Sequence, residues 1–215
     1  MRRAVQMLRY RIGVRWLAII IAAALPSTLA AVVMSPTPGD LQRAIALAHF
    51  PHTEDDRIEF HKRYTIPVNG PLVDGWAVER IEVVTEIRRA ELMAEEHARL
   101  NDSWGRAGLT EVEAALKPWR GRLSIVVHLS APVAYGSAEP AISLIVDNAN
   151  ALMPIDSRRT DLYANCPDLS GCARIGTVVE QTYAAASIGN AARVVRVRSN
   201  GRQLAEVSID FAHLE

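Results

Sequence analysis

The sequence predicts a mainly β protein: a β-sandwich or half-open barrel of mostly antiparallel strands, with a helical insertion around residues 86–117, α+β overall. Three observations carry that reading. Leu123, Ile125, Val127, Leu129 and Ala131 form the cleanest alternation in the chain, and a period of two means one buried and one wet face, the habit of antiparallel sheets. Asn200-Gly201 separates two apolar runs, 192–198 and 202–211, the strongest short hairpin signal a sequence offers. Between residues 86 and 100 the period changes: Ile87, Ala90, Ala94 and Ala98, with Met93, make one helical stripe opposite Arg88, Glu91, Glu95 and Arg99.

In chain order, Ser35-Pro36-Thr37-Pro38-Gly39 reads as a linker, since proline and glycine interrupt regular structure. Asp40 then caps a short helix over 41–48, with Leu41, Ala44, Ile45 and Ala48 at helical spacing. Residues 57–68 read as the first strand, because Ile58, Phe60, Tyr64, Ile66 and Val68 alternate with Glu59, His61, Arg63 and Thr65. Asn69-Gly70-Pro71 and Asp74-Gly75 are turns, and 76–85 is the second strand. The helix over 86–100 follows, with a favourable Glu95–Arg99 pair and a repulsive Glu91–Glu95 pair. Thr110-Glu111-Val112-Glu113 has the spacing of a capping box opening a short helix that Pro118 limits. This helical segment is expected to lie over one face or end of the sheets.

Strands return over 122–131, where Val126 on the second face points to a central position. Runs at 141–147, 159–164, 173–183, 192–198 and 202–211 complete some eight strands, with one helical turn at 184–188. A two-residue Asn200-Gly201 loop sets Val195 against Glu206. A three-residue loop through Arg202 sets Val195 against Val207 and Arg196 against Glu206, which suits one wet face and is the expected register.

The first residues decide compartment rather than fold. Arg2, Arg3, Arg9, Arg11 and Arg15 precede an uncharged stretch that ends at Asp40, the arrangement of an export leader. In one reading 1–30 is a signal peptide with its apolar core at 17–25, too short to span a bilayer, and cleavage follows Ala30. In the other, 16–34 stays in place as a membrane anchor, although Pro26, Ser27 and Thr28 interrupt it. Residues 31–56 then form a linker and short helix, and 57–215 a single β-rich globular domain. Both readings export the domain to the periplasm or the extracellular space, with the N-terminus held in the cytoplasm if the anchor is retained.

The formal charge of zero conceals an acidic domain. The chain has 24 basic and 24 acidic residues, and removing the five leader arginines leaves 19 basic against 24 acidic, a net charge of −5. Nucleic acid is bound chiefly through basic patches, so it is not an expected partner. The two cysteines, Cys166 and Cys172, bracket a five-residue turn. Outside the cytoplasm they are expected to form a local disulfide, contributing at most about 2 kcal/mol in the chain-entropy account.

Candidate chemistry is sparse. His49 and His52 with Glu54, Asp55 and Asp56, and His61 on the expected strand beside Glu59, offer imidazole and carboxylate ligands suited to a divalent ion. Pro51 prevents the two histidines from sharing one helix, and a solvated loop is the plainer reading. His128 lies on the strand face opposite the apolar row, where a half-buried, hydrogen-bonded histidine is expected. Arg158, Arg159 and Arg174, and Arg193, Arg196, Arg198 and Arg202, could dock an acidic partner or a polysaccharide, or simply blunt an edge strand. Trp76, Trp104 and Trp119 either line a groove or anchor the helices to the sheet. No nucleophile elbow or phosphate loop occurs in the chain.

The resulting expectation is an exported interaction or accessory domain with an unknown protein or polysaccharide partner and no cofactor, leaning away from an enzyme. The alternatives are an exported metal-binding protein or hydrolase using His49, His52 and His61, and a single-pass subunit tethered through 16–34. If the leader is cleaved, N-terminal sequencing of the exported chain will begin at Ala31; a chain beginning at Met1 supports the tether instead.

Overall fold

The structure, a computed structural model, describes residues 36–48, 53–106, 108–131, 141–146, 150–164 and 174–214. Four helical segments and two strands come first: α1 (Pro38–Ala48), α2 (Glu54–Lys62), β1 (Thr65–Pro67), β2 (Ala77–Val84), α3 (Glu86–Arg99) and α4 (Thr110–Leu116). There follow β3 (Arg122–Ser130), β4 (Ala141–Val146), β5 (Asn150–Leu152), β6 (Asp156–Tyr163), β7 (Arg174–Ala184), the single turn α5 (Ala185–Ile188), β8 (Ala192–Ser199) and β9 (Arg202–Asp210).

The alternating run at 123–129 becomes β3, the middle strand of a five-stranded sheet of order β1-β2-β3-β7-β6. Leu123, Ile125, Val127, Leu129 and Ala131 are all buried. The second sheet has the order β5-β4-β8-β9, and every pairing in both is antiparallel. Val78, Ile81, Val83, Ile125 and Val127 of the first sheet share one apolar cluster with Val195, Val197, Leu204 and Ile209 of the second. The fold is therefore α+β and mainly β, two antiparallel sheets closed over a common core. Removing these branched side chains from water is its main source of stability.

Two devices fix how the sheets meet. Asn200 (φ 49°) and Gly201 (φ 75°) both take left-handed backbone, as a two-residue type I′ turn requires. The turn pairs Ser199 with Arg202 and Arg198 with Gln203, and a β-bulge then shifts the register so that Val197 faces Ala205, Arg196 faces Glu206 and Val195 faces Val207. The expected pairs form, but the extra residue sits in β9 at Leu204 rather than in the loop. Gly70 packs directly on this bulge: a Cβ there would stand 2.9 Å from the Leu204 carbonyl oxygen.

The expected strand over 57–68 is overturned. Its first half is α2, and only Thr65–Pro67 pairs with β2. Thr53 caps the helix, its hydroxyl accepting from the Asp56 amide. Glu54, Asp55 and Asp56 crowd the first turn, and His61 and Lys62 lie in the last, which complements the helix dipole. Local capping thus outweighs an alternation that ran through only part of the segment. The box expected at Thr110 is also corrected: Leu109 occupies the cap position of α4 and no side chain caps it.

The helices form a second, separate cluster in which Leu41, Ala44 and Ile45 of α1 meet Ile87, Ala90 and Ala94 of α3 and Val112 and Leu116 of α4. The apolar stripe of α3 is therefore spent on other helices. Its charged side faces the outer surface of the five-stranded sheet, where Arg89 donates to Ser124 Oγ and to Glu180 Oε1, both at 2.9 Å, and Arg88 reaches Glu82. No helix among the described residues is long and apolar enough to cross a membrane; the segment 16–34 lies outside them, as do His49, His52, Cys166 and Cys172.

Gly176 of β7 allows the closest backbone approach in the first sheet, since a Cβ there would stand 2.5 Å from the Leu129 carbonyl oxygen. Backbone cannot yield as a flexible side chain does. We expect Gly176→Ala to cost about 1–3 kcal/mol, read as a lower urea midpoint; an unchanged midpoint would refute this packing.

Candidate functional site

The densest polar constellation lies where α2, α3 and β2 meet. Thr85 starts α3 by accepting from the Arg88 amide, and the helix then places Arg88, Glu91 and Glu95 on one side, three and four residues apart. On α2, Arg57 and His61 are also four apart and face them. Arg57 Nη2 and His61 Nε2 both contact Glu95 Oε1, at 2.7 and 2.8 Å. His61 Nε2 stands 3.8 Å from the nearer oxygen of Glu91, Oε1. Arg88 donates from Nη1 to Glu91 Oε2 at 2.6 Å, and from Nε and Nη2 to Glu82 Oε1 at 3.1 and 2.8 Å. Its guanidinium also lies over the Tyr64 ring, 5.7 Å from the centroid.

Burial gives these charges their chemistry. The side chains of Glu91 and Arg88 are 0% and 5% exposed although they lie opposite the apolar stripe of α3. Burial pushes the Glu91 carboxyl up, assisted by the charge of Glu95 and opposed by Arg88, to about 7. Burial acts the same way on Glu95, but Arg57 and His61 outweigh it and hold that carboxyl below its ordinary value. Tyr64 is pushed up to about 12 by burial and by Glu91. Glu82 also resists ionisation through burial, yet is brought down to about 2 by His128 and Arg88. His128 Nε2 is 3.7 Å from Glu82 Oε2, beyond hydrogen-bond reach, and makes no hydrogen bond. Its influence is therefore through space, and the two Arg88 bonds are the direct hold. Within this network Glu91 Oε1 is buried with no hydrogen-bond partner. One ligand atom from each of His61, Glu91 and Glu95 lies within 4.8 Å of the others, a spacing that could hold a metal ion.

The remaining candidates separate. Glu59 turns to solvent and pairs with Lys62 at 3.2 Å, so it does not join His61. His128 sits half-buried on the outer sheet face with Nδ1 3.1 Å from Arg80 Nη2, as expected of its strand position. The tryptophans do not converge: Trp76 is buried in the sheet core, Trp104 stacks on His97 with ring centroids 4.8 Å apart, and Trp119 carries the Arg89 guanidinium 3.6 Å from its ring centroid. The arginines are largely matched. Arg196 bonds Glu206, Arg202 bonds Asp74, Arg158 bonds Asp156 and Arg159 bonds Asp161.

A second place stands out at the sheet margin. β6 pairs with β7 and has no other strand beside it among the described residues. It carries Asp156, Arg158, Arg159 and Asp161 over its first six residues, but it ends on Leu162 and Tyr163, 41% and 55% exposed. Ile175 at the start of β7 and Met153 and Ile155 just before β6 are also exposed. Sequence reading placed a strand here without identifying the edge.

Set against known proteins, the chain matches no protein-family model and no curated protein.

The Arg88–Glu82 contact generates a pH prediction. A carboxylate whose folded pKa lies below its unfolded value of 4.5 adds stability that is present above that value and is lost as pH falls toward the folded one. Glu82 should therefore contribute up to about 3 kcal/mol near pH 6, fading as pH drops from about 4.5 toward about 2. Denaturant titrations should show Glu82→Gln less stable than the parent at pH 6, with the two converging near pH 2; a gap independent of pH would contradict this assignment.

Proposed function

We propose that this chain is an exported accessory domain that recognises a protein partner by accepting an extended segment along the outer edge of β6. The observation that carries this reading is the combination, at one sheet margin, of a strand edge that no other described strand covers and the exposed side chains Leu162, Tyr163 and Ile175. Backbone groups at such an edge accept a strand from another chain, and neighbouring apolar side chains select its sequence. A solvated margin without function is normally short or charged throughout; the charge of β6 stops at Asp161, two residues before its end.

Export is supported by the arginine-rich leader and the uncharged run behind it. In that compartment a Cys166–Cys172 disulfide would lie between the end of β6 and the start of β7, stiffening the connection beside Tyr163 and Ile175. A protein segment fits the margin better than a polysaccharide, because Arg158, Arg159, Arg196 and Arg202, four of the seven arginines that could dock an acidic polymer, are engaged with Asp and Glu side chains.

The test places a photo-crosslinking phenylalanine analogue at position 162 and, as control, at exposed Ile58 on α2. In the native host, irradiation should give a discrete protein adduct from position 162 and none from 58. Equal labelling at both positions, or carbohydrate adducts alone, would overturn the reading, and a dimer-sized adduct would identify the partner as a second copy.

A further inference from the structure

We propose that His61, Glu91 and Glu95 are the ligands of a divalent metal site of the zinc class, and that Arg57 is the resident cation that an arriving ion displaces. The two carboxylates leave α3 four residues apart, and the imidazole comes from α2. Both supports are capped helices, so the ligand set is held by rigid elements. A tetrahedral ion with ligands at about 2.0–2.1 Å sets neighbouring donor atoms about 3.3 Å apart. The distances from His61 Nε2, 2.8 Å to Glu95 and 3.8 Å to Glu91, bracket that spacing. One imidazole with two carboxylates suits zinc, manganese or ferrous iron better than calcium, which prefers oxygen alone.

An independent observation points to the ion. Glu91 is fully buried, Arg88 holds its Oε2, and Oε1 faces the imidazole with no hydrogen-bond partner. Buried carboxylate oxygens are normally satisfied, and a metal would satisfy this one. Arg88 then plays the part of an outer-shell residue that fixes a ligating carboxylate. The charge count agrees. Once Glu91 is ionised, as metal ligation requires, Glu82, Glu91 and Glu95 carry three negative charges against Arg57 and Arg88, one in excess when His61 is neutral. A dication that takes the place of Arg57 leaves the cluster neutral. Arg57 bonds Glu95 through Nη2, but its side chain is 40% exposed and that of His61 27% exposed, so solvent reaches the cluster from this side.

Titration calorimetry of the purified chain with zinc should find one site. His61→Ala and Glu91→Gln should each weaken it by at least about tenfold, the scale of losing a ligand or its support. Arg57→Gln should tighten it by about tenfold, a gain that a purely structural Arg57 would not produce. His97→Ala, on α3 with Glu91 and Glu95, and the double change His49→Ala, His52→Ala should leave it unmoved. Cobalt in place of zinc should show d–d absorption without a thiolate charge-transfer band, excluding Cys166 and Cys172. The proposal fails if neither the parent nor Arg57→Gln binds zinc or cobalt, if His61→Ala binds as well as the parent, or if a thiolate band appears. Should Glu91→Gln not fold, His61→Ala and the cobalt spectrum decide alone.

Discussion

Everything around the helical layer depends on one buried guanidinium. A guanidinium has five donors and no acceptor, so the burial of Arg88 demands matched acceptors. Glu82 on β2 and Glu91 on the same helix supply them. The cost of desolvating such a trio is large, and its worth lies less in net stability than in the penalty for breaking it: a lone buried charge is far worse than a pair. That asymmetry fixes α3 on the sheet in one orientation. The apolar stripe of the helix is already covered by α1 and α4, so the charged side has nowhere to face but the strands. The molecule thus holds two dry cores, one between the sheets and one among the helices, with a layer of ion pairs between them and Phe60 touching both.

The strands were legible wherever alternation ran long. β3 could be read down to its central place, because Val126 gives it an apolar residue on its second face. The failures come from comparing local signals of different strength. At 54–62 a threonine cap and three early acids favour helix, while Ile58 and Phe60 mimic a strand; Ile58 is in fact 46% exposed. At Thr110 the same kind of cap motif is present and unused, since Leu109 already stands at the helix boundary. The last hairpin shows a different limit. Packing preferences identified the correct partners across β8 and β9, but a loop residue and a bulge residue produce the same offset, and the pairing alone does not distinguish them.

Of the candidate site, His61 was visible as a residue type and misplaced as geometry. The burial of Glu91 and Glu95 was not legible, because periodicity reports which side chains share a helical face and is silent about what covers that face. One signal was available. Arg57 and His61 are four apart, as are Glu91 and Glu95, and two short helices carrying opposite charges at the same spacing are complementary surfaces. The β6 margin was less accessible still, because an edge is a property of strand order, set by pairings between segments distant in sequence.

The partition into two cores also bears on the order in which the chain can assemble. Members of the helical core run from Leu41 to Leu116, whereas the sheet core extends from Tyr64 to Leu214. Apart from His128, the ion-pair layer around Arg88 lies between Arg57 and Glu95. A chain that emerges N-terminus first therefore presents a complete helical unit with the charges around Arg88 already matched, while β3 still awaits β7 and Arg89 still awaits Glu180 on that strand. Contacts near in sequence close faster than distant ones. The helical layer that looks like a late ornament on a sandwich is, in time, the platform on which β2 is held until its sheet arrives.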